Sequence, residues 1–327
     1  MKKKHFLLLL LVVLGGLTFL SAQESVTLYG IRGPSGIGLV RLFDQPPRVP
    51  GMEIKVEALA QADLVAARII SGEAKIGILP PNVAAKIAAS GRDIQVAAVI
   101  GRGMLSLFSA DASVQSFADL KGKTVAVAGG GATPEYVLRR ILLSYGIDPG
   151  ADIQLDYSLA PPEIAQSLIA GRITTGIIPE PFATLVRAGR PNIRQIGDVQ
   201  EEWIRAVGGA VGGENYPMTV IVVDAAFARE QPGVFRAVLN ACRSSIEWVL
   251  AHPAEAGALT EKLDWGLRAP VAAMAIPRSN YAYIQAASAR ASLEALYRTF
   301  LEFSPESIGG RLPEDKFYYH LPGSFRE

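Results

Sequence analysis

Beyond Ser25 the chain alternates short apolar runs with stretches whose apolar residues recur every three or four positions. Ile76 to Leu79, Val125 to Ala128 and Gly176 to Ile178 carry no polar side chain, the pattern of strands buried on both faces. Glycine or proline follows each run, and helical periodicity follows that. Regular alternation of strand and helix predicts a parallel sheet with helices on both faces.

The pattern repeats itself about 100 residues further on. Gly72-Glu73-Ala74-Lys75-Ile76-Gly77-Ile78-Leu79-Pro80-Pro81-Asn82 aligns with Gly171-Arg172-Ile173-Thr174-Thr175-Gly176-Ile177-Ile178-Pro179-Glu180-Pro181. VTLYGIRGPSGIGLVRLF from Val26 aligns with TVAVAGGGATPEYVLRRI from Thr124, which sets Gly33-Pro34-Ser35 opposite Gly131-Ala132-Thr133. Glu53 to Glu57 corresponds likewise to Asp152 to Asp156. The expected architecture is therefore α/β in two lobes, each a mostly parallel sheet flanked by helices, joined by two hinge crossings.

After the second block come a strand at Met218 to Val223 and amphipathic helices at Val234 to Ala251, Pro253 to Lys262 and about Ala286 to Phe303. This helical tail predicts a return to the first lobe. The expected organisation is 1–22 a leader, 23–109 the first part of lobe 1, 110–212 lobe 2, and 213–327 the return, with crossings near Leu105 to Ala110 and Gly213 to Val223.

The leader differs in composition. Lys2, Lys3 and Lys4 precede an apolar run from Phe6 to Phe19, then Leu20-Ser21-Ala22-Gln23. A basic start, about 14 apolar residues and a small-residue cleavage site describe a secretory signal peptide, and the run is too short to span a bilayer. The chain is 50% hydrophobic and 19% charged with net charge +1, which gives no basic surplus for nucleic acid. The single cysteine, Cys242, lies within a helical pattern far from the cleavage site. It can be neither a lipid-bearing residue after a signal nor half of an internal disulfide, and reads as a small buried hydrophobe. A diffusible periplasmic protein is expected.

In open parallel sheets, ligands sit beyond the carboxyl ends of strands, where helix N-termini offer unpaired N–H groups. The glycine and proline corners occupy those places. Gly129 and Gly131 sit at the interval of a dinucleotide fingerprint, but Pro134 fills its third glycine position and obstructs the close helix-to-strand contact. Thr133 reads instead as an N-cap, with Pro134 at the first helical position. Glu180, between Pro179 and Pro181, would accept hydrogen bonds from a ligand amine or sit at a helix N-terminus. Asn82 offers donor and acceptor, or caps its helix. Arg32 and Arg102 would pair with an anion or lie solvated. Tyr29, Tyr136, Phe182 and Tyr216 would stack on a flat ligand or pack in the core. The histidines are scattered, and there is no zinc-type Cys/His cluster, nucleophile elbow or Walker loop. Neither catalytic nor metal residues, nor a cofactor, are expected.

DLKGKTVAVAGGGATPEYVLRRILLSYGIDPGADIQL, from Asp119, resembles the second-lobe signature of bacterial ABC-transporter solute-binding proteins of the nitrate/sulfonate/taurine and thiamine-pyrimidine-precursor type. GEAKIGILPPNVAA, AGRITTGIIPEPFAT and FAREQPGVFRAVLNACRSSIEWVLAHPAEA match in kind and order, and IGGRLPEDKFYY resembles a closing segment within this group. The resemblance runs from about Val26 to Tyr319. It implies a type II periplasmic binding protein fold and a monomer that passes a small polar or anionic solute to an ABC permease and ATPase complex at the inner membrane. It also implies cleft contacts at Gly33, Pro34, Ser35, Pro81, Asn82, Gly131, Ala132, Thr133 and Glu180; Arg32, Arg102, Tyr136 and Tyr216 remain further candidates from the residues themselves. The alternatives are an enzyme on the same fold, of the pyrimidine-precursor or menaquinone-pathway kind, and a module presenting a ligand to a membrane sensor. The resemblance does not name the solute.

Overall fold

The computed structural model describes residues 24–208 and 215–320; the leader at 1–22 lies outside the described residues. The first block supplies β1 (Glu24–Ile31), β2 (Met52–Leu59), β3 (Ile76–Leu79) and β4 (Ile94–Arg102). The second supplies β5 (Leu105–Ser109), β6 (Thr124–Val127), β7 (Gln154–Asp156), β8 (Thr175–Pro179) and a two-residue β9 (Arg194–Gln195). β10 (Pro217–Asp224) and β11 (Tyr281–Gln285) follow. The helices, in chain order, are α1 (Pro34–Ile37), α2 (Val40–Asp44), α3 (Ala62–Ser71), α4 (Pro81–Ala89), α5 (Thr133–Ser144), α6 (Pro161–Ile169) and α7 (Phe182–Gly189). They continue with α8 (Val199–Ala206), α9 (Ala225–Glu230), α10 (Pro232–Ala251), α11 (Pro253–Lys262), α12 (Ala269–Ala275) and α13 (Arg290–Phe303). Among the described residues no helix is long and apolar enough to cross a membrane.

Two sheets result, in the orders β11-β4-β10-β3-β1-β2 and β7-β6-β8-β5-β9. β1 lies between β2 and β3, and β6 between β7 and β8, each running parallel to both neighbours. β3 and β8 are buried along their whole length, which explains why their sequences carry no polar face.

Each crossing delivers a strand that inserts antiparallel beside the third strand of the block it enters. β10 runs antiparallel to β3, and β5 runs antiparallel to β8. β5 thus lies in the second sheet, although its residues had been expected in the first lobe and at a crossing. The outward crossing falls at Gly103 and Met104. The return crossing ends at Asn215 and Tyr216, and residues 209–214 lie outside the described residues. The two crossings touch: the Gly103 N–H donates to the Tyr216 carbonyl at 2.7 Å. The Gly103 carbonyl accepts from Asn215 Nδ2 at 3.0 Å and also from Asn280 Nδ2.

Each lobe has an apolar cluster of its own, one around Leu28, Ile78, Ile221 and Phe235, the other around Phe108, Ile164, Ile178 and Val186. A third runs through both, from Val96 and Val220 to Val125 and Ile177. The tail returns to the first sheet and also reaches across: Tyr136 on α5 packs against Phe300 and Phe303 of α13, with ring centroids 4.7 and 6.2 Å apart.

Along α10 the buried residues Phe235, Val238, Leu239, Cys242, Ile246 and Val249 form one helical stripe. Burial pushes the Cys242 thiol up to about 12. A thiol reagent at pH 8 is therefore expected to leave the native protein unmodified and to titrate Cys242 only after unfolding; rapid labelling of the native chain would contradict its burial. The raised value also gives the sign of a pH effect. The unfolded chain loses the thiol proton first, so this residue's contribution to stability falls as pH climbs from about 9 toward 12.

Candidate functional site

The corners that follow β1, β3, β6 and β8 each turn directly into a helix. One pair of them meets across the lobes. Asn82, at the start of α4, and Gly131, just before α5, line one pocket of about 410 Å³ together with Ala66, Ile70, Val83 and Lys86. Pro34, at the start of α1, is tied to β11 by Tyr281: the Tyr281 hydroxyl donates to the Pro34 carbonyl at 2.8 Å. Burial pushes the Tyr281 phenol well above its ordinary range, and the charge of Glu180 adds to the effect while Ser279 opposes it. Helices α7 and α12 also pack on one another, closing the lobes together at this edge.

The glycines at two corners behave alike. Gly33 and Gly131 have φ of 81° and 73°, and a Cβ at either would meet nothing within 4 Å. The left-handed backbone, not crowding, is what calls for glycine there. Ser35 accepts a hydrogen bond from Thr219 Oγ1 at 3.2 Å, which ties the first corner to the return strand β10.

At α5 the cap differs from expectation. Ala132 is the N-cap, with extended backbone, and Thr133 is already the first helical residue, buried at 3% exposure. No side chain caps α5; Glu135 instead reaches back to the preceding loop, where its Oε2 accepts from the Gly131 N–H at 2.7 Å while Oε1 accepts from Arg139 Nε at 2.6 Å. The amide that a glycine loop would offer to a phosphate is thus taken by the chain's own carboxylate, a second obstacle to a dinucleotide beside Pro134.

Glu180 is 2% exposed and fully engaged. Its Oε2 accepts from the Thr184 N–H at 3.0 Å, inside the first turn of α7, and its Oε1 accepts from Arg187 Nη1 at 2.6 Å. Arg187 Nη2 donates further to Ser106 Oγ at 2.9 Å and Gln195 Oε1 at 2.8 Å. Of the two roles expected for Glu180, the geometry displays the one at the helix N-terminus, made neutral by Arg187.

Asn82 is the opposite case. It is 7% exposed, and its buried Oδ1 has no hydrogen-bond partner. Pro81 beside it is buried, and its carbonyl accepts from the Tyr297 hydroxyl at 3.3 Å. Arg32 is exposed, with Nε directed to the Ala58 carbonyl at 3.4 Å. Arg102 is partly buried at the end of β4, next to the outward crossing, and its Nε lacks a partner. Tyr136 packs against α13, as described above. Tyr216 is fully buried behind the hinge, its hydroxyl donating to Gln200 Oε1 at 2.8 Å and its ring edge-on to Trp203 at 5.6 Å. For both tyrosines the structure displays packing and not an open stacking face.

Sequence reasoning missed Tyr281, Thr219 and Arg187. Tyr281 and Thr219 lie after the repeat and have no partner in it. Arg187 stands two helical turns beyond Glu180 on the same helix face, a spacing that could have revealed the pair.

Among the described residues no group of histidine, cysteine, aspartate and glutamate could hold a metal ion. What the corners present is a set of helix starts, apolar walls and two buried oxygens without partners, Asn82 Oδ1 and Thr184 Oγ1. That is binding equipment.

Solved structures similar to the chain include an ABC transporter protein from Parabacteroides distasonis, at 22% identity and TM-score 0.75, covering 91% of this chain and 99% of that one. The periplasmic aliphatic sulphonate binding protein SsuA from Escherichia coli is 18% identical with TM-score 0.68, over 93% of this chain and 98% of its own. The periplasmic nitrate-binding protein NrtA from Synechocystis is 13% identical with TM-score 0.59, over 88% and 84%. These likenesses establish the two-lobed fold of periplasmic binding proteins. No match was found among curated proteins. Residues 50–256, more than half of the chain, match the family model described as NMT1/THI5 like, and the chain belongs to that family.

Proposed function

We propose that this protein is the substrate-binding component of an ABC importer, taking up a small polar organic or anionic solute between its lobes and passing it to a membrane permease and its ATPase. The observation that carries this reading is the pairing of Asn82 and Gly131, from opposite lobes, around one pocket, with the Asn82 acceptor unsatisfied. Buried polar groups are ordinarily hydrogen-bonded, so an orphan acceptor at a helix start between two lobes is a place prepared for a donor. Two of the solved relatives are a sulphonate and a nitrate binding protein, which supports a role in capturing a small solute. A secreted, freely diffusing monomer in the periplasm fits the leader sequence and the placement of Cys242.

The test is ligand capture. Protein purified without denaturation is examined by native mass spectrometry for a bound small molecule, and the identified solute is titrated by calorimetry and small-angle scattering. Binding without turnover, with compaction of the particle, is expected. Asn82→Leu is expected to weaken binding about tenfold while leaving unfolding stability unchanged or slightly raised, because it removes an acceptor unsatisfied in the empty protein. A product released from the solute, or full affinity in Asn82→Leu, would overturn the assignment.

A further inference from the structure

We propose that the cavity between α4 and the C-terminal segment 308–317 is a second binding site, made for a small amphipathic monoanion such as a medium-chain carboxylate. It is lined by other residues than the Asn82 and Gly131 pocket, on the neighbouring side of α4. α4 begins at the corner after β3 and runs away from it, and the cavity is lined by its second half, Ala85, Ala88 and Ala89, and by the approach to β4 at residues 91–94. Its volume of about 350 Å³ falls in the range that encloses small organic ligands.

The far wall is the IGGRLPEDKF stretch, which the cleft does not use. It is fixed in place by bonds. Gln95 Nε2 donates to the Lys316 carbonyl at 2.8 Å, and the Tyr319 N–H donates to the Val96 carbonyl at 2.8 Å. Gly309 lies so close to α4 that a Cβ there would be 2.2 Å from the Ala89 Cβ. The cavity is thereby preformed, which lowers the ordering cost of binding.

The lining then sets the ligand class. Ala85, Ala88, Ile94, Ile308, Leu312 and Phe317 make apolar walls. Five charged residues complete it, and most of them are already paired. Arg92 meets Asp224 at 2.7 Å, Asp93 meets Arg229 at 3.7 Å, and Lys316 meets Glu314 at 3.2 Å. Arg311 has no ion pair among the described residues, so one positive charge beside an apolar wall stands uncompensated. A guanidinium takes a carboxylate through two parallel hydrogen bonds, while the walls take an aliphatic or aromatic tail. A dianion would find one free charge for its two, and a cation would be repelled.

The experiment titrates octanoate into the whole protein, followed by NMR and calorimetry, with acetate and octylamine as controls. Saturable binding of one octanoate is expected, with neither control saturating. Arg311→Gln, at an exposed position, should weaken octanoate binding about tenfold or more at an unchanged unfolding midpoint. Ala88→Phe should fill the cavity and abolish binding, and Arg311→Gln alone decides if that variant does not fold. Asn82→Leu, in the cleft, should bind octanoate as the parent does. The proposal is overturned if octanoate fails to saturate at millimolar concentration, if octylamine binds equally well, or if binding follows Asn82→Leu and not Arg311→Gln.

Discussion

Replacing Arg187 with methionine is expected to lower the unfolding free energy by about 3–5 kcal/mol, toward the lower figure because its own side chain remains partly open to water. The size comes from what is left behind. Glu180 is 2% exposed, and without Arg187 its Oε1 has no counter-charge while Oε2 keeps only the Thr184 N–H. Methionine restores the volume of the aliphatic stem but not the guanidinium lying over the Phe108 ring at 5.2 Å, so the loss reports charge, hydrogen bonds and that cation–π contact more than packing. Glu180→Gln should cost less, since the partly exposed guanidinium can turn to water and keeps Ser106 and Gln195. The double variant should recover part of the Arg187→Met loss, giving a coupling energy of order 1–3 kcal/mol by urea denaturation. If Arg187→Met loses under about 1 kcal/mol, Glu180 is not held by that pair and its carboxylate is free for another partner. The experiment thus separates a structural Glu180 from a ligand-binding one.

The chain carries its architecture openly where physics makes the code local. β3 and β8 are buried on both faces, so their apolar runs are visible in the letters, and the repeat around them follows because both blocks solve the same packing problem. The corners were legible for a similar reason. A left-handed turn asks for glycine, and a helix start tolerates proline, so Gly33-Pro34 and Gly131 to Pro134 announce themselves. The rest depends on distance along the chain. LSLFS at β5 reads as a strand in either sheet, and only the crossing at Gly103 places it beside β8. Thr133 suits a cap in the letters, but the helix takes Ala132 as its N-cap and leaves Thr133 inside the first turn, while Glu135 bonds back to the Gly131 amide. Tyr281 reaches Pro34 across 247 residues, a pairing no local pattern encodes.

Gly103 makes the second large prediction, because the two crossings leave it no room. A Cβ there would lie 2.1 Å from Asn215 Oδ1 and 2.5 Å from Tyr216 Cζ, both far inside contact distance. Neither neighbour can step aside cheaply. Asn215 is held by its own bond to the Gly103 carbonyl, and the Tyr216 ring is fully buried, with its hydroxyl on Gln200 and its ring edge-on to Trp203. Overpacking of this kind typically costs about 1–3 kcal/mol, so Gly103→Ala is expected to lower stability by that amount in urea denaturation, and Gly103→Val by more. The strain has one outlet that a core site would not have. Gly103 sits between β4 and β5, one in each sheet, so a small rotation of one lobe against the other opens the space the methyl group needs. Part of the cost should therefore appear as a changed lobe angle in scattering from the unliganded protein. It should appear again as changed affinity for any solute held between Asn82 and Gly131, whose spacing depends on the lobe angle. A variant with parental stability and parental scattering would mean that the crossings are slack at Gly103. A variant destabilised with no change in lobe angle would place the rigidity of the hinge in the core shared by Val96, Val220 and Val125 instead.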